Sequence, residues 1–146
     1  MRVLAVDLGR RRIGFALSDR SATLARPWET IGAPPDVAAA AAVVAARART
    51  LAAGEDGLGA IVVALPRHLD GRPHEETERA LAFAQALRVL TEVEVVLQDE
   101  RLTSREAESR LAVREKDWRR RKLKIDAAAA AVVLQDYLDQ RTGTGG

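Results

Sequence analysis

With 146 residues and no cysteine, the chain is expected to form one domain with its own core and to lack disulfides, thiolate catalysis and cysteine-based zinc sites. Its formal net charge is only +2, so its basic residues matter through their clustering and not through their total number. The apolar run before Asp7 is too short for a signal sequence, and no uncharged apolar stretch is long enough to cross a bilayer, so we expect a cytoplasmic protein without a membrane partner.

Three short strands are predicted at the start of the chain. Apolar runs over residues 3–6 and 13–17 flank a charged turn, which is the pattern of a hairpin. Gly9 and Gly14 allow a ligand to approach the backbone closely there. A third strand is predicted over residues 22–31, where Pro27 requires an edge position or a bulge because proline cannot donate to the sheet. Together these strands form an antiparallel meander.

Helices and strands alternate after the meander. Helices are predicted over residues 37–53 and 75–90, a central strand over 58–65 between them, and a last strand over 93–98. The polar loop before the second helix holds His68 and His74, which we interpret as loop residues and not as metal ligands.

Two further helices are predicted after the last strand. One begins at Thr103 or Ser104 and ends near Val113; the other begins near Asp126 and ends near Gln140, and the basic stretch 116–124 interrupts them. The order indicates an α/β fold with a five-stranded mixed sheet flanked by helices, in which two crossover strands join the meander. We expect a single domain over residues 1–140 and a flexible tail over residues 141–146.

Three acids lie at positions in the predicted elements from which their side chains could contribute to one site. Asp7 ends the first strand, Glu100 follows the fifth strand, and Asp126 begins the last helix. Asp7 alone is equally consistent with a turn cap, and Asp126 alone is better explained as a helix cap. Converging carboxylates repel one another unless a cation is present, and Mg²⁺ takes oxygen ligands together with substrate phosphates. The three acids together therefore predict a metal-dependent nuclease.

Two basic clusters are candidates for nucleic-acid binding, because lysine and arginine can contact phosphates and release counterions. The second cluster alone is equally consistent with a solvated charge run. The first cluster is Arg10, Arg11 and Arg12, and the second is Arg119, Arg120, Arg121, Lys122 and Lys124.

Four segments resemble the YqgF family, also called RuvX, within the RNase H-like and Holliday junction resolvase superfamily. They follow the family's order: AVDLGRRRIGFALSD at 5–19, ALP with a following DG at 64–71, DERLTSREA at 99–107 and KIDAAAAAVVLQDYL at 124–138. The DERLT and IDAAAA segments are the distinctive ones. The chain departs from the family at Ala64, where a glycine is typical, and the added methyl narrows the approach of a substrate to that loop.

The resemblance implies an RNase H-like fold and a bacterial nuclease that matures the 5′ end of pre-16S rRNA. It implies Asp7, Glu100 and Asp126 as the catalytic and metal-binding triad. Our hypothesis for the mechanism is that Asp7 bridges two Mg²⁺ ions, with Mn²⁺ as the alternative cofactor. Asp99 is a candidate additional ligand, and Arg101 is expected to position Glu100 or to contact a phosphate.

Other functions stay open at this point. A Holliday junction resolvase would be dimeric and would prefer four-way DNA, whereas a non-catalytic ribosome-assembly module would bind RNA without cleaving it. An ATPase of the sugar-kinase and actin class is disfavoured, because it needs two such lobes. The sequence separates neither RNA from DNA as the substrate nor a monomer from a homodimer.

Overall fold

The computed structural model describes residues 1–66, 75–100 and 118–145, which form a five-stranded sheet covered by helices. The strands are β1 (Arg2–Leu8), β2 (Arg12–Ser18), β3 (Ala25–Gly32), β4 (Leu58–Pro66) and β5 (Glu94–Glu100). The described helices are α1 (Val37–Ala53), α2 (Glu75–Leu90) and α3 (Trp118–Gly145).

The sheet has the order β3-β2-β1-β4-β5, so β4 is an interior strand, as its apolar run predicted, and β1 lies in the middle. β1, β2 and β3 pair antiparallel, whereas β1, β4 and β5 pair parallel. The predicted mixed sheet, with its meander and two crossover strands, is confirmed.

Alternation along β1 divides the core into two layers. Leu4 and Val6 pack with α1 and α2 on one face, whereas Val3 and Ala5 pack with α3 on the other. Because successive side chains of a strand point to opposite faces, Asp7 belongs to the α3 face. The register of β1 therefore decides on which side of the sheet a site can form.

The edge strand β3 begins later than predicted. The carboxylate of Asp19 accepts hydrogen bonds from the backbone N–H groups of Thr23 and Leu24, and Ala22 has a φ of 54°. These contacts hold the chain in a loop until Ala25. Pro27 lies on this edge strand beside a register shift, as its missing N–H predicted.

Three further element boundaries differ from the predictions. β5 extends to Glu100, because its last residue pairs with Pro66, so Glu100 lies inside the strand. α3 begins at Trp118 and not near Asp126, since arginine and lysine are good helix formers and no breaker separates them from the alanines. It also continues to Gly145, beyond the predicted end near Gln140. The flexibility of the tail over 141–146 stays a prediction.

Two predicted segments lie outside the described residues: the loop that holds His68 and His74, and the helix over 103–113. Within the described residues, no helix combines the length and the apolar character that a membrane span requires.

Candidate active site

A cleft of about 180 Å³ lies where β1, β4 and β5 end. The carboxyl ends of parallel strands are the usual place for ligands in open α/β sheets. All three acids of the predicted triad line it. The lining residues are Asp7, Leu8, Gly9, Arg10, Pro66, Glu76, Arg79, Glu100 and Asp126.

The pleat of the sheet explains why the triad meets. Val96 packs in the α3-side core, so Glu100, four residues later in the same strand, lies on that face with Asp7. Asp126 reaches the same face from α3 itself. Two parallel strands and one helix thus bring Asp7 together with two carboxylates that lie more than ninety positions later in the sequence.

Asp99 alternates to the other side of β5. Its strand neighbours Val95 and Leu97 pack on the α1 and α2 face, so its position in the strand directs it away from Asp7. The register therefore separates this candidate ligand from the triad.

The pKa of Asp7 is raised well above its ordinary value, first because the carboxyl is buried and then because Glu100, Asp126 and Glu76 place negative charge beside it. A divalent cation would relieve both effects, and an all-carboxylate donor set suits a hard ion such as Mg²⁺. Among residues 1–66, 75–100 and 118–145, however, no three acidic or histidine side chains are already close enough to share one ion.

Asp126 is held by an arginine of the first hairpin. The Nε of Arg12 donates to Oδ2 of Asp126 over 2.5 Å, and both side chains are partly buried, at 29% and 28% exposure. Arg12 was predicted to contact nucleic acid, but its described partner is a triad acid.

Gly14 lets α3 approach the sheet at this point. A Cβ on Gly14 would overlap the backbone carbonyl of Asp126 and would lie 3.0 Å from the nitrogen of Ala127. The close approach predicted at this glycine therefore exists, but the approaching group is the helix backbone and not a ligand. Gly14 also pairs with Asp7 across β1 and β2, so two triad acids meet at this residue.

The start of α2 supplies the cleft residues Glu76 and Arg79, which were not predicted from the sequence. Thr77 Oγ1 donates to the carbonyl of Pro66, and Arg79 Nη1 donates to the carbonyl of Gly9 over 2.8 Å. These bonds fix Glu76 at the cleft, where it lies 3.6 Å from Arg10. A helix that follows a parallel strand starts near the ligand-binding edge of the sheet, and this rule could have indicated Glu76. The length of the loop between β4 and α2 prevented an estimate of how far the start of the helix lies from that edge.

The predicted basic residues have different surroundings. Arg10 is 64% exposed and forms ion pairs with Glu75 and Glu76, and Arg11 is exposed on the same turn. Residues 119–124 occupy the helical turns of α3 before Asp126, but their side chains lie outside the described part of the chain, as does Arg101.

Comparisons with known proteins agree with this architecture. The family model RuvX, described as Holliday junction resolvase, matches residues 1–140. A protein of Anaeromyxobacter sp. strain Fw109-5 named "Putative pre-16S rRNA nuclease" is 44% identical over 97% of this chain and 98% of its own length. A protein of the same name from Chloroflexus aurantiacus is 39% identical over 95% of this chain and 87% of its own.

A solved structure shares the fold. RuvC of T. thermophilus, determined in complex with a Holliday junction substrate, has a TM-score of 0.54 and 19% identity, covering 99% of this chain and 97% of RuvC. At this identity the likeness supports the RNase H-like fold alone.

Proposed function

We propose, since the chain belongs to the RuvX family, that it is a metal-dependent nuclease that hydrolyses phosphodiester bonds. The observation that carries the proposal is the meeting of Asp7, Glu100 and Asp126 in one cleft on one face of the sheet. The raised pKa of Asp7 is consistent with it, because a cation would offset the negative charge of the neighbouring carboxylates, which contributes to raising that pKa.

Asp7, Glu100 and Asp126 would hold Mg²⁺, with Mn²⁺ as the alternative. When bound, such a cation supplies Lewis-acid stabilisation of a phosphoryl oxygen and lowers the pKa of a coordinated water. Asp7 is the central carboxylate, because it lies on the middle strand, between β2 and β4, and its pKa is raised by the negative charge of both other acids. Asp99 is not part of the proposed donor set.

Substrate phosphates would be held by basic residues around the acids. Arg10 and Arg11 are exposed on the turn after β1, beside the cleft. The ion pairs of Arg10 with Glu75 and Glu76 are exposed and therefore weak, so a phosphate can replace them at little cost. The basic residues Arg119, Arg120, Arg121, Lys122 and Lys124 precede Asp126 in the sequence, and we propose them as further phosphate contacts.

Maturation of the 5′ end of pre-16S rRNA in the cytoplasm is the role we propose. The relatives that align over nearly the whole chain support its substrate, because they are named "Putative pre-16S rRNA nuclease". Resolution of DNA junctions is the competing role, and the description of the family model favours it. RNA and DNA share the phosphodiester group that would be cleaved, so the two roles have to be distinguished by comparing cleavage of an RNA and a DNA substrate.

The test is digestion of a precursor 16S rRNA fragment beside a four-way DNA junction, with Mg²⁺ or with EDTA. We expect Mg²⁺-dependent cleavage of the RNA. Asp7→Asn should lower the rate by at least about two orders of magnitude, because several kcal/mol of transition-state stabilisation depends on the acids.

A matched control is Asp139→Asn, the same exchange on an exposed residue of α3 that lies about 20 Å along the helix from Asp126. It should cleave at the unmodified rate. Equal cleavage by Asp7→Asn would contradict the site, whereas cleavage of the junction alone would contradict the rRNA role. RNA binding without any cleavage would indicate a non-catalytic module.

A further inference from the structure

We propose that Arg12 is a positioning residue for Asp126: its guanidinium holds one carboxylate oxygen so that the other stays directed to the cation. This inference rests on the proposed function, because it assigns Arg12 a task at the same metal site. It differs from the sequence-based assignment of Arg12 to phosphate binding.

The contact is built into the strand register. Arg12, Gly14 and Ala16 alternate onto the α3 face of β2, where Ala16 packs in the α3-side core. Gly14 lets the backbone of Asp126 descend onto the strand, and Arg12 lies two residues away on the same face. Sheet and helix therefore meet at the residue that Arg12 binds.

The bond engages only part of the carboxylate. Arg12 donates through Nε to Oδ2 of Asp126, and in the described ranges the Asp126 carboxylate makes its hydrogen bond through that oxygen alone. Oxygen ligands of metals are commonly oriented by such outer hydrogen bonds, and loss of the outer partner typically weakens metal binding by about 10- to 100-fold.

A phosphate-binding role fits Arg12 poorly. Its side chain is 29% exposed, whereas that of Arg10 in the same turn is 64% exposed. To reach a phosphate, Arg12 would have to release a partly buried carboxylate at 2.5 Å, which costs more than breaking an exposed pair.

The test measures Mn²⁺ affinity by titration calorimetry in the absence of nucleic acid, for the full chain and its Arg12→Gln and Arg12→Lys variants. We expect Arg12→Gln to bind Mn²⁺ about 10- to 100-fold more weakly. Arg12→Lys should lie between, since lysine restores the charge but not the planar donor geometry. Arg20→Gln, the same exchange on an exposed residue beyond the far end of β2, is the matched control and should bind normally.

A second measurement separates positioning from phosphate contact: binding of the precursor rRNA fragment in EDTA. Arg12→Gln should weaken this binding no more than Arg20→Gln does. Mn²⁺ affinity that is unchanged by Arg12→Gln, or tighter, would overturn the inference and leave the nuclease proposal standing. Lack of Mn²⁺ binding by the unmodified protein would overturn both. Circular dichroism checks that each variant is folded. If Arg12→Gln is unfolded, the Mn²⁺ affinity of Arg12→Lys is compared with that of the unmodified protein instead.

Discussion

At the scale of single residues, Asp7 illustrates a conflict between the stability of the fold and the metal-binding role proposed for this carboxylate. Its carboxyl lies at the end of a buried strand, with three other acids acting on it. Burial and like charge both favour the protonated form, so the ionised form opposes folding in the absence of a cation. A residue that served only as a turn cap would have no reason to be placed among acids.

Asp7→Asn should therefore stabilise the metal-free protein near neutral pH. The folded pKa is above the unfolded value, so Asp7 costs no stability at low pH, where both states are protonated. The cost grows as the pH rises through the unfolded pKa and is complete above the folded pKa. It amounts to about 1.4 kcal/mol for each unit by which the two pKa values differ.

Thermal unfolding in EDTA at about pH 4 and about pH 7 checks this linkage. The variant should melt higher than the unmodified protein at the upper pH, and the gain should shrink at the lower pH. Asp139→Asn should show no such trend. A variant that melts lower at neutral pH would contradict the burial-driven shift.

At the scale of elements, the site depends on how closely α3 lies on the sheet. The β1 and β4 residues beneath α3 include Ala5, Ala60 and Ala64, whose small side chains let the helix pack closely. In β2, Gly14 has no Cβ that would overlap the backbone of Asp126. A larger side chain at Gly14 displaces the helix that carries a triad acid. The spacing of two elements therefore matters to the site as much as the identity of its acids.

Gly14→Ala should lower the free energy of unfolding by about 1–3 kcal/mol and reduce cleavage. The added Cβ would overlap the backbone of Asp126, which cannot rotate away as a side chain can. Gly32→Ala is the matched control: it lies on the neighbouring strand, and its Cβ would meet nothing within 4 Å. Chemical denaturation of both variants gives the comparison. Equal stability of the two would show that α3 is not held against Gly14.

The start of α2 offers a second test at this scale. Thr77→Val removes the hydroxyl that donates to the carbonyl of Pro66 while keeping the shape of the side chain. We expect a loss of about 1–3 kcal/mol, since the partly buried carbonyl of Pro66 loses a donor that the buried Thr77 supplies. Thr50→Val on the exposed side of α1, where the hydroxyl bonds to Ala46, should cost far less. A similar loss for both in urea denaturation would contradict the anchoring role of Thr77.

At the scale of the whole molecule, charge is distributed unevenly although the net charge is only +2. The cleft collects acids from β1, β5, α2 and α3, whereas exposed arginines lie on the turn at its rim. A polyanion can approach such a cleft only when basic residues and a cation offset the carboxylates. Because the acids of the cleft come from four elements, a cation bound among them should stabilise the folded state of the whole domain.

Mg²⁺ should raise the melting temperature of the unmodified protein. A ligand that binds only the folded state at 100 times its Kd adds about 2.7 kcal/mol. Asp7→Asn should lose most of this gain, because the central ligand is removed. Differential scanning calorimetry across a Mg²⁺ series measures the effect, and an equal gain in both proteins would place the ion elsewhere.

Much of the fold could be predicted, because its signals are local. The branched apolar runs at β1, β2 and β4 favour strands, and Asp36 caps α1 by accepting from the N–H of Ala39. One boundary that differed depends on a partner distant in sequence: Glu100 stays in β5 because it pairs with Pro66. Glu76 was missed because its position depends on the bonds that Thr77 and Arg79 make to other elements.

The sequence by itself determined the order of the described elements, the three candidate acids and the family they resemble, since periodicity and motifs reside in neighbouring residues. Only the tertiary structure decided that Glu100 and not Asp99 shares a face with Asp7, and that Arg12 binds Asp126. The register of a strand sets the face of every side chain, and the approach of α3 at Gly14 sets which groups meet. Both are properties of packed elements and arise only when distant segments come together.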